Sequence, residues 1–204
     1  IRNTALGRAS LASVSSSSNR HVAIGYAALV SLTGGNENVA VGNECGQAMT
    51  SASNNTLVGS YCGDAITTGA DNTAMGRNAL GSTTTASYNV AMGYHALISN
   101  TTGSYNTAIG RHALLNSDTG GSNTAVGNEA GLNSTGVNNT LIAGSTTTTG
   151  VNNTALGYNA QHPSNTSSNN VTLGDSNIGA LRCAQTSITS LSDERDKTEI
   201  IDLP

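Results

Sequence analysis

A five-residue pattern of polar and apolar positions recurs along almost the whole chain. It consists of Asn, Thr or Val, usually Ala, an aliphatic residue or Met, and Gly, as in residues 72–76 and 106–110. Eleven copies, two of them degenerate, begin at residues 3, 21, 38, 55, 72, 89, 106, 123, 139, 153 and 170, and the commonest spacing is 17 residues. A fixed period of this kind is typical of repeat architectures, in which each unit is stable only by stacking on its neighbours.

Each copy predicts one short strand, and the polar residues between copies predict the turns that close a coil. The fold class is therefore all-β, a parallel β-solenoid of about eleven 17-residue coils. Alternation along the strand places Thr or Val and the aliphatic residue on one face, and Asn, Ala and Gly on the other. We expect the first face to lie inside the coil. The second is expected to pack against other subunits, with Asn ladders between coils.

A slot three residues after each Gly carries only small side chains. Its occupants are Ala28, Cys45, Cys62, Ala79, Ala96, Ala113, Ala130 and Ala160. Cys45 and Cys62 fall in adjacent coils, about 4.8 Å apart, which a disulfide could span. Because Ala fills the same slot elsewhere, we expect both to be buried free thiols, and Cys183 has no obvious partner.

Composition excludes several classes of protein. The chain has no Trp and no Phe, and aromatic residues make up 3% of it, so it cannot fill a wide core. Eight Lys and Arg against twelve Asp and Glu provide no basic patch, which argues against a nucleic acid partner. No stretch approaches the roughly 20 apolar residues of a membrane span. No pair of carboxylates recurs at catalytic spacing, so we expect no enzyme and no cofactor.

The repeats resemble the head region of trimeric autotransporter adhesins of the YadA type, which carry an Asn-Ser/Thr-Val/Ala-Ile-Gly core. The resemblance covers about residues 3 to 174. It implies a left-handed parallel β-roll that assembles as a homotrimer. These two properties come from the resemblance and not from the spacing.

A different module begins near the end of the chain, where the repeat stops and charged residues cluster. The segment Ser192-Asp193-x-Arg195-x-Lys197 resembles the start of the intramolecular chaperone domain at the C-terminus of phage endosialidases, tail spikes and tail fibres. The resemblance implies that Ser192 is the nucleophile of a single self-cleavage between Leu191 and Ser192, and that Lys197 takes its proton. The alternative is a solvated helix with Ser192 as its N-cap.

These features divide the chain into three parts: a β-roll shaft over residues 1–174, a β-rich connector over 175–191, and the start of the chaperone domain over 192–204. The leading hypothesis is a phage tail-fibre or tail-spike shaft that presents or forms a surface for a host receptor, expected to be a glycan. Its location would be the virion tail or another extracellular surface. The alternatives are a bacterial trimeric adhesin or secreted filament and, less favoured, an ice-binding solenoid.

Two sets of side chains are candidates for a surface site. His95 and His112 share a position in consecutive coils, but two His without a third ligand predict no metal site. Tyr26, Tyr94 and Tyr158 directly follow the repeated Gly and form an outward row with several Arg. That row could stack on sugars, although simple surface decoration is the favoured interpretation.

Overall fold

A computed structural model of the chain describes residues 2–144, 148–161 and 164–177. These residues contain eleven three-residue strands and no helix. In chain order, β1 to β11 are Thr4–Leu6, Val22–Ile24, Val39–Val41, Thr56–Val58, Thr73–Met75, Val90–Met92, Thr107–Ile109, Thr124–Val126, Thr140–Ile142, Thr154–Leu156 and Val171–Leu173. Every strand begins one residue after the start of a repeat, as the sequence pattern predicts.

The strands form one parallel sheet in the order β1 to β11, and each pairs only with its neighbours in sequence. The register aligns equivalent positions, so that Val90, Ala91 and Met92 of β6 lie opposite Thr107, Ala108 and Ile109 of β7. Hydrogen bonds between coils continue beyond the strands, for example from Gly93 N–H to Met75 O at 2.8 Å. The chain is therefore a β-solenoid of about ten turns, which confirms the predicted fold class.

The two faces of the sheet are the reverse of those expected from the sequence. The middle residue of the strand and the preceding Asn are fully buried, as at Ala91 and Asn89, whereas the aliphatic position is exposed, as at Met92. The expectation that Thr, Val and the aliphatic residue lie inside the coil is wrong. So is the placement of the Asn-Ala-Gly face against other subunits. A coil of 17 residues encloses little volume, and Leu, Met or Ile side chains from outside the strands fill part of it, so the inward strand positions carry mostly small residues.

Besides the repeated Asn, four columns of side chains fill that interior. The first is the middle residue of the strands, usually Ala, and the second is the small slot after each Gly, including Cys45 and Cys62. The third, one residue after that slot, contains Leu29, Leu80, Leu97 and Leu114, and the fourth, three residues further on, contains Leu32, Met49 and Ile66. Since each coil adds its layer to the same columns, the core is a thin continuous stack rather than a globular centre.

The buried Asn side chains are paired along the whole stack, as the predicted ladder requires, but inside the coil. Asn38 Oδ1 accepts hydrogen bonds from the backbone N–H of Asn55 at 3.0 Å and from its Nδ2 at 3.1 Å. Asn55 Nδ2 also donates to Gly69 O at 3.0 Å, which ties the start of one strand to the approach to the next. Each amide of this ladder thus replaces its lost water contacts, whereas the buried Asn100, outside the ladder, has no partner for its Oδ1.

Candidate functional site: the outer sheet face

The most extensive surface feature is the outer sheet face, which we define as the first and third residues of every strand. The first positions are Thr4, Val22, Val39, Thr56, Thr73, Val90, Thr107, Thr124, Thr140, Thr154 and Val171. The third positions are Leu6, Ile24, Val41, Val58, Met75, Met92, Ile109, Val126, Ile142, Leu156 and Leu173. All the third positions are aliphatic residues or Met, and neither set contains a charge.

Large apolar side chains on this face are open to solvent in the single chain. Met75 is 53% exposed, Leu156 48% and Ile109 38%. With a rise of about 4.8 Å per strand and three residues across, the face measures about 50 by 10 Å, or about 500 Å². The aliphatic third positions form a continuous apolar stripe within this face, and the largest exposed apolar patch of a monomer is often an interaction surface.

A column of glycines separates this face from a more polar surface. We call the residues directly after these glycines the rim; they include Arg8, Tyr26, Asn43, Ser60, Arg77, Tyr94, Arg111, Asn128, Tyr158 and Asp175. Leu156, Gly157 and Tyr158 line one shallow hollow, so the rim borders the outer sheet face directly. The outward position predicted for Tyr26, Tyr94 and Tyr158 is confirmed, since all three are exposed.

Several aromatic and titratable side chains lie close together on the rim and the column beside it. The ring centroids of Tyr94 and His95 are 3.7 Å apart, and each lies 5.5 Å from the centroid of His112. Burial lowers the pKa of His95, and the neighbouring His112, Arg77 and Arg111 lower it further. His95 is therefore neutral at pH 7, and its Nε2 lies 3.4 Å from Asn78 Nδ2.

Charged side chains border this cluster on one side. Arg111 Nη1 lies 3.2 Å from Glu129 Oε1, and His112 Nδ1 lies 3.9 Å from the same carboxylate oxygen. The other ion pair of the described residues, between Arg20 and Glu37 at 2.7 Å, is far along the stack. Both arginine pairs are largely exposed, so each contributes little to stability.

A second aromatic pair has no counterpart in the sequence-based predictions. Tyr88 and Tyr105, each directly before a repeated Asn, stack with centroids 4.9 Å apart and ring planes 7° apart. Both rings are exposed. The signal that would reveal the pair is its spacing, since two Tyr one 17-residue period apart must be neighbours in a solenoid.

The two cysteines of the small slot are buried free thiols, as expected. Cys45 Sγ donates to Leu57 O at 3.4 Å. A hydrogen bond with the Cys62 thiol, together with burial, raises the pKa of Cys45 well above its ordinary range. Because the thiolate is the reactive form, Cys45 behaves as a small core residue.

The predicted self-cleavage residues, Ser192 and Lys197, lie outside the described residues, as do most of the connector and the whole predicted chaperone segment. Their roles stay predictions. Within the described ranges, His, Cys, Asp and Glu do not gather in threes as a metal site would require. The same part of the chain contains no helix long and apolar enough to cross a membrane.

Comparison with protein-family models, with curated protein sequences and with solved structures found no match to this chain. Its function must therefore be argued from the outer sheet face, the rim and the solenoid itself.

Proposed function

We propose that this chain is the shaft of a homotrimeric extracellular fibre, in which the outer sheet faces of three copies pack together around the fibre axis. The fibre is a phage tail fibre or tail spike, and it holds or forms a surface that contacts a host receptor. A bacterial trimeric adhesin or secreted filament is the alternative within the same mechanical class. The proposal moves the subunit contact from the Asn-Ala-Gly face to the aliphatic one.

The observation that carries the proposal is the uncharged outer sheet face, which continues without interruption over eleven strands. Its side chains repeat in register, so a second copy aligned with the first would meet the same chemistry in every coil. A contact of about 800 Å² per partner is usual for stable association. The face, of about 500 Å², provides more than half of that area, and exposed side chains on the border opposite the rim, such as Tyr88 and Tyr105, would add to it.

Sedimentation equilibrium of the purified chain tests this assembly. We expect a mass three times that of the 20.4 kDa chain. Ile109→Asp should give monomers, because it buries an unpaired charge in the subunit contact. Thr85→Asp, at an exposed position away from the outer sheet face, should remain trimeric. A monomeric parent chain, or an Ile109→Asp variant that stays trimeric, contradicts the proposal.

One observation favours ice binding as a second candidate. The repeated Thr lies on the outer sheet face, as an ice-binding surface would need, in seven strands: β1, β4, β5, β7, β8, β9 and β10. The third position is never Thr, however, so the flat Thr-x-Thr array is missing. A thermal-hysteresis assay separates the two, since a fibre shaft should show no activity.

A further inference from the structure

Arg77, Tyr94 and Arg111 occupy the rim in three successive coils, and His95 and His112 lie beside them. We call these five residues the rim platform. The guanidinium carbon of Arg77 lies 5.8 Å from the Tyr94 ring centroid, and its Nη1 lies 3.4 Å from the Tyr94 hydroxyl. His95 stacks on one face of the Tyr94 ring, and Tyr94 is 39% exposed, so the rest of the ring presents an accessible aromatic surface beside a cation. Arg77 and Arg111 are two coils apart, or about 10 Å.

The two arginines differ in what they can still bind. Arg111 is paired with the carboxylate of Glu129 at 3.2 Å. Arg77 has no ion-pair partner among the described residues, and its Nη1 donates a hydrogen bond to the Tyr94 hydroxyl. A guanidinium carries five N–H donors in a planar fork, which matches a carboxylate. Arg77 therefore offers a free anion-binding group next to an exposed ring.

We propose that the rim platform binds an acidic saccharide, with the carboxylate of the sugar on Arg77 and a sugar ring packed on Tyr94. The inference rests on the proposed function in one respect, because it names the ligand class of the receptor-contacting surface. The apolar C–H face of a sugar gains by covering an aromatic ring, whereas a phosphate ion gains nothing from it. The combination of ring, unpaired cation and neighbouring imidazoles selects an acidic ligand that also has an apolar face and hydroxyl groups.

The imidazoles supply the polar contacts that a sugar also needs. His95 and His112 lie one coil apart with ring centroids 5.5 Å from each other, and they adjoin Tyr94. In its neutral form His95 has one N–H donor and one acceptor nitrogen, so it can bond to a hydroxyl in either direction. The platform thus presents a cation, a ring and amphoteric polar groups within a few coils.

The chain contains a matched control for this arrangement. Arg8 and Tyr26 occupy the same rim positions in the first two coils, and the Arg8 guanidinium lies 5.7 Å from the Tyr26 ring centroid. The neighbouring column there carries Ala9 and Ala27 in place of Asn78 and His95. This pair has the cation and the ring but not the imidazoles. The Tyr26→Ala variant therefore measures how much an Arg–Tyr pair without neighbouring imidazoles contributes to saccharide binding.

Isothermal titration calorimetry with trigalacturonic acid tests the proposal on the full chain. We expect binding, and we expect Arg77→Gln and Tyr94→Ala each to weaken it about tenfold, the equivalent of about 1.4 kcal/mol. Tyr26→Ala should leave the affinity unchanged. Maltotriose, a neutral saccharide, should bind at least about tenfold more weakly, since it lacks the carboxylate. Unchanged circular dichroism of each variant would show that its solenoid is intact.

Several results would overturn the proposal. These are the absence of binding, equal affinity of Arg77→Gln and the parent chain, equal binding of maltotriose, or inorganic phosphate that competes as well as the acidic sugar. Sedimentation of the same samples separates this failure from failure of the fibre proposal. If the chain is a trimer but does not bind the saccharide, the fibre proposal stands and the binding proposal fails. If the chain is a monomer that binds the saccharide, the binding proposal stands and the fibre proposal fails.

Discussion

At the scale of single residues, the glycines at the end of each strand bring successive coils closer than a side chain permits. A Cβ built on Gly93 would lie 2.4 Å from the carbonyl oxygen of Gly110, and its φ is +135°. Equivalent glycines have nearly the same conformation, for example Gly76 at +141° and Gly110 at +133°. Glycine adopts this region without strain, whereas other residues do not.

Gly93→Ala should therefore lower the free energy of unfolding by about 3 kcal/mol or more, since it combines backbone strain with an overlap that the next coil cannot relieve. Denaturant titration followed by circular dichroism measures the loss. Gly34→Ala is the matched control, because its added Cβ would meet the nearest atoms at 3.6 Å and its φ is not in the positive range. Equal stability of the two variants would contradict this account of close coil packing.

His21 occupies the position of the repeated Asn in the second repeat, and it makes the contacts between this coil and the next sensitive to pH. Its Nδ1 accepts the backbone N–H of Asn38 at 3.2 Å, and its Nε2 lies 2.8 Å from Ser18 Oγ, which donates to Gly35 O. Burial lowers the pKa of His21. Protonation would place a hydrogen on Nδ1 and abolish the bond from Asn38.

Because the folded pKa of His21 lies below the ordinary value of about 6.5, the unfolded chain binds the proton more readily. The stability contributed by neutral His21 is complete above about pH 6.5 and is lost as the pH falls through the folded pKa. Amide hydrogen exchange of Asn38 should accelerate over that range beyond its intrinsic pH dependence. His21→Asn restores the repeated ladder and should abolish the effect; the same acceleration in that variant would contradict the assignment.

At the scale of the coil, neighbouring interior positions share a limited volume. Strand β4 carries Leu57 where most strands have Ala, and the adjacent core positions are Gly46 and Gly63. A Cβ on Gly63 would lie 3.0 Å from Leu57 Cδ1, so Leu57 fills the space that a Leu occupies in other coils. Leu141 and Gly131 form the same combination, with a corresponding distance of 2.9 Å.

Because Leu57 fills space that a side chain at position 63 would also occupy, we expect mutations at these two positions to be coupled. Leu57→Ala should cost about 2 to 5 kcal/mol, because it leaves a cavity in a fully buried position. Gly63→Leu alone should also destabilise, by overpacking. The double variant recreates the combination of Ala23 with Leu29, and the φ of Gly63, +58°, is close to the +56° of Leu80. Thermal unfolding should show it to be more stable than Leu57→Ala; additive losses would contradict the argument.

The sequence predicts the strands of these coils better than their orientation. The repeat locates each strand because its pattern and its period are nearly invariant. Alternation defines two faces but not which of them is inside. The usual preference for buried aliphatic residues misleads in the strands, since Leu, Met and Ile side chains from outside the strands already fill much of the enclosed space. The rim could be predicted because it follows Gly directly.

The corners of the coil could not be predicted. Each uses residues with positive φ, such as Tyr88 at 61°, His95 at 59° and Leu97 at 53°. Apart from Gly and Asn, the residue types at these corners are not typical of such turns. Their conformation follows from closing the coil onto its neighbours. The rim platform is predictable only as a row of positions, because the stacking of Tyr94 on His95 depends on such a corner.

At the scale of the whole molecule, the C-terminal resemblance predicts a maturation step. In the full-length precursor, cleavage between Leu191 and Ser192 should follow trimerisation, and both Ser192→Ala and Lys197→Ala should leave the precursor uncut. Asp196 directly precedes Lys197 in the sequence, and a carboxylate beside a Lys favours the charged amine, so we expect Asp196→Leu to accelerate the cut. Mass spectrometry of the purified fibre measures the outcome. An intact parent precursor together with an intact Asp196→Leu variant would leave Ser192 as a helix cap.

The central proposal for the whole molecule is that three chains bury their outer sheet faces against one another. Third-position side chains such as Ile109 would then lie next to their equivalents in the other subunits, whereas Thr85, away from that face, would not. Cysteines at these two positions distinguish the cases, provided that Cys183 is replaced by Ser and that the buried Cys45 and Cys62 are kept.

The most direct measurement is mild oxidation of the Ile109→Cys and Thr85→Cys variants, followed by electrophoresis without reducing agent. The account predicts covalent dimers for Ile109→Cys and none for Thr85→Cys, because a disulfide requires Cα atoms within about 7 Å. Crosslinks at Thr85→Cys but not at Ile109→Cys, or at neither position, would contradict it.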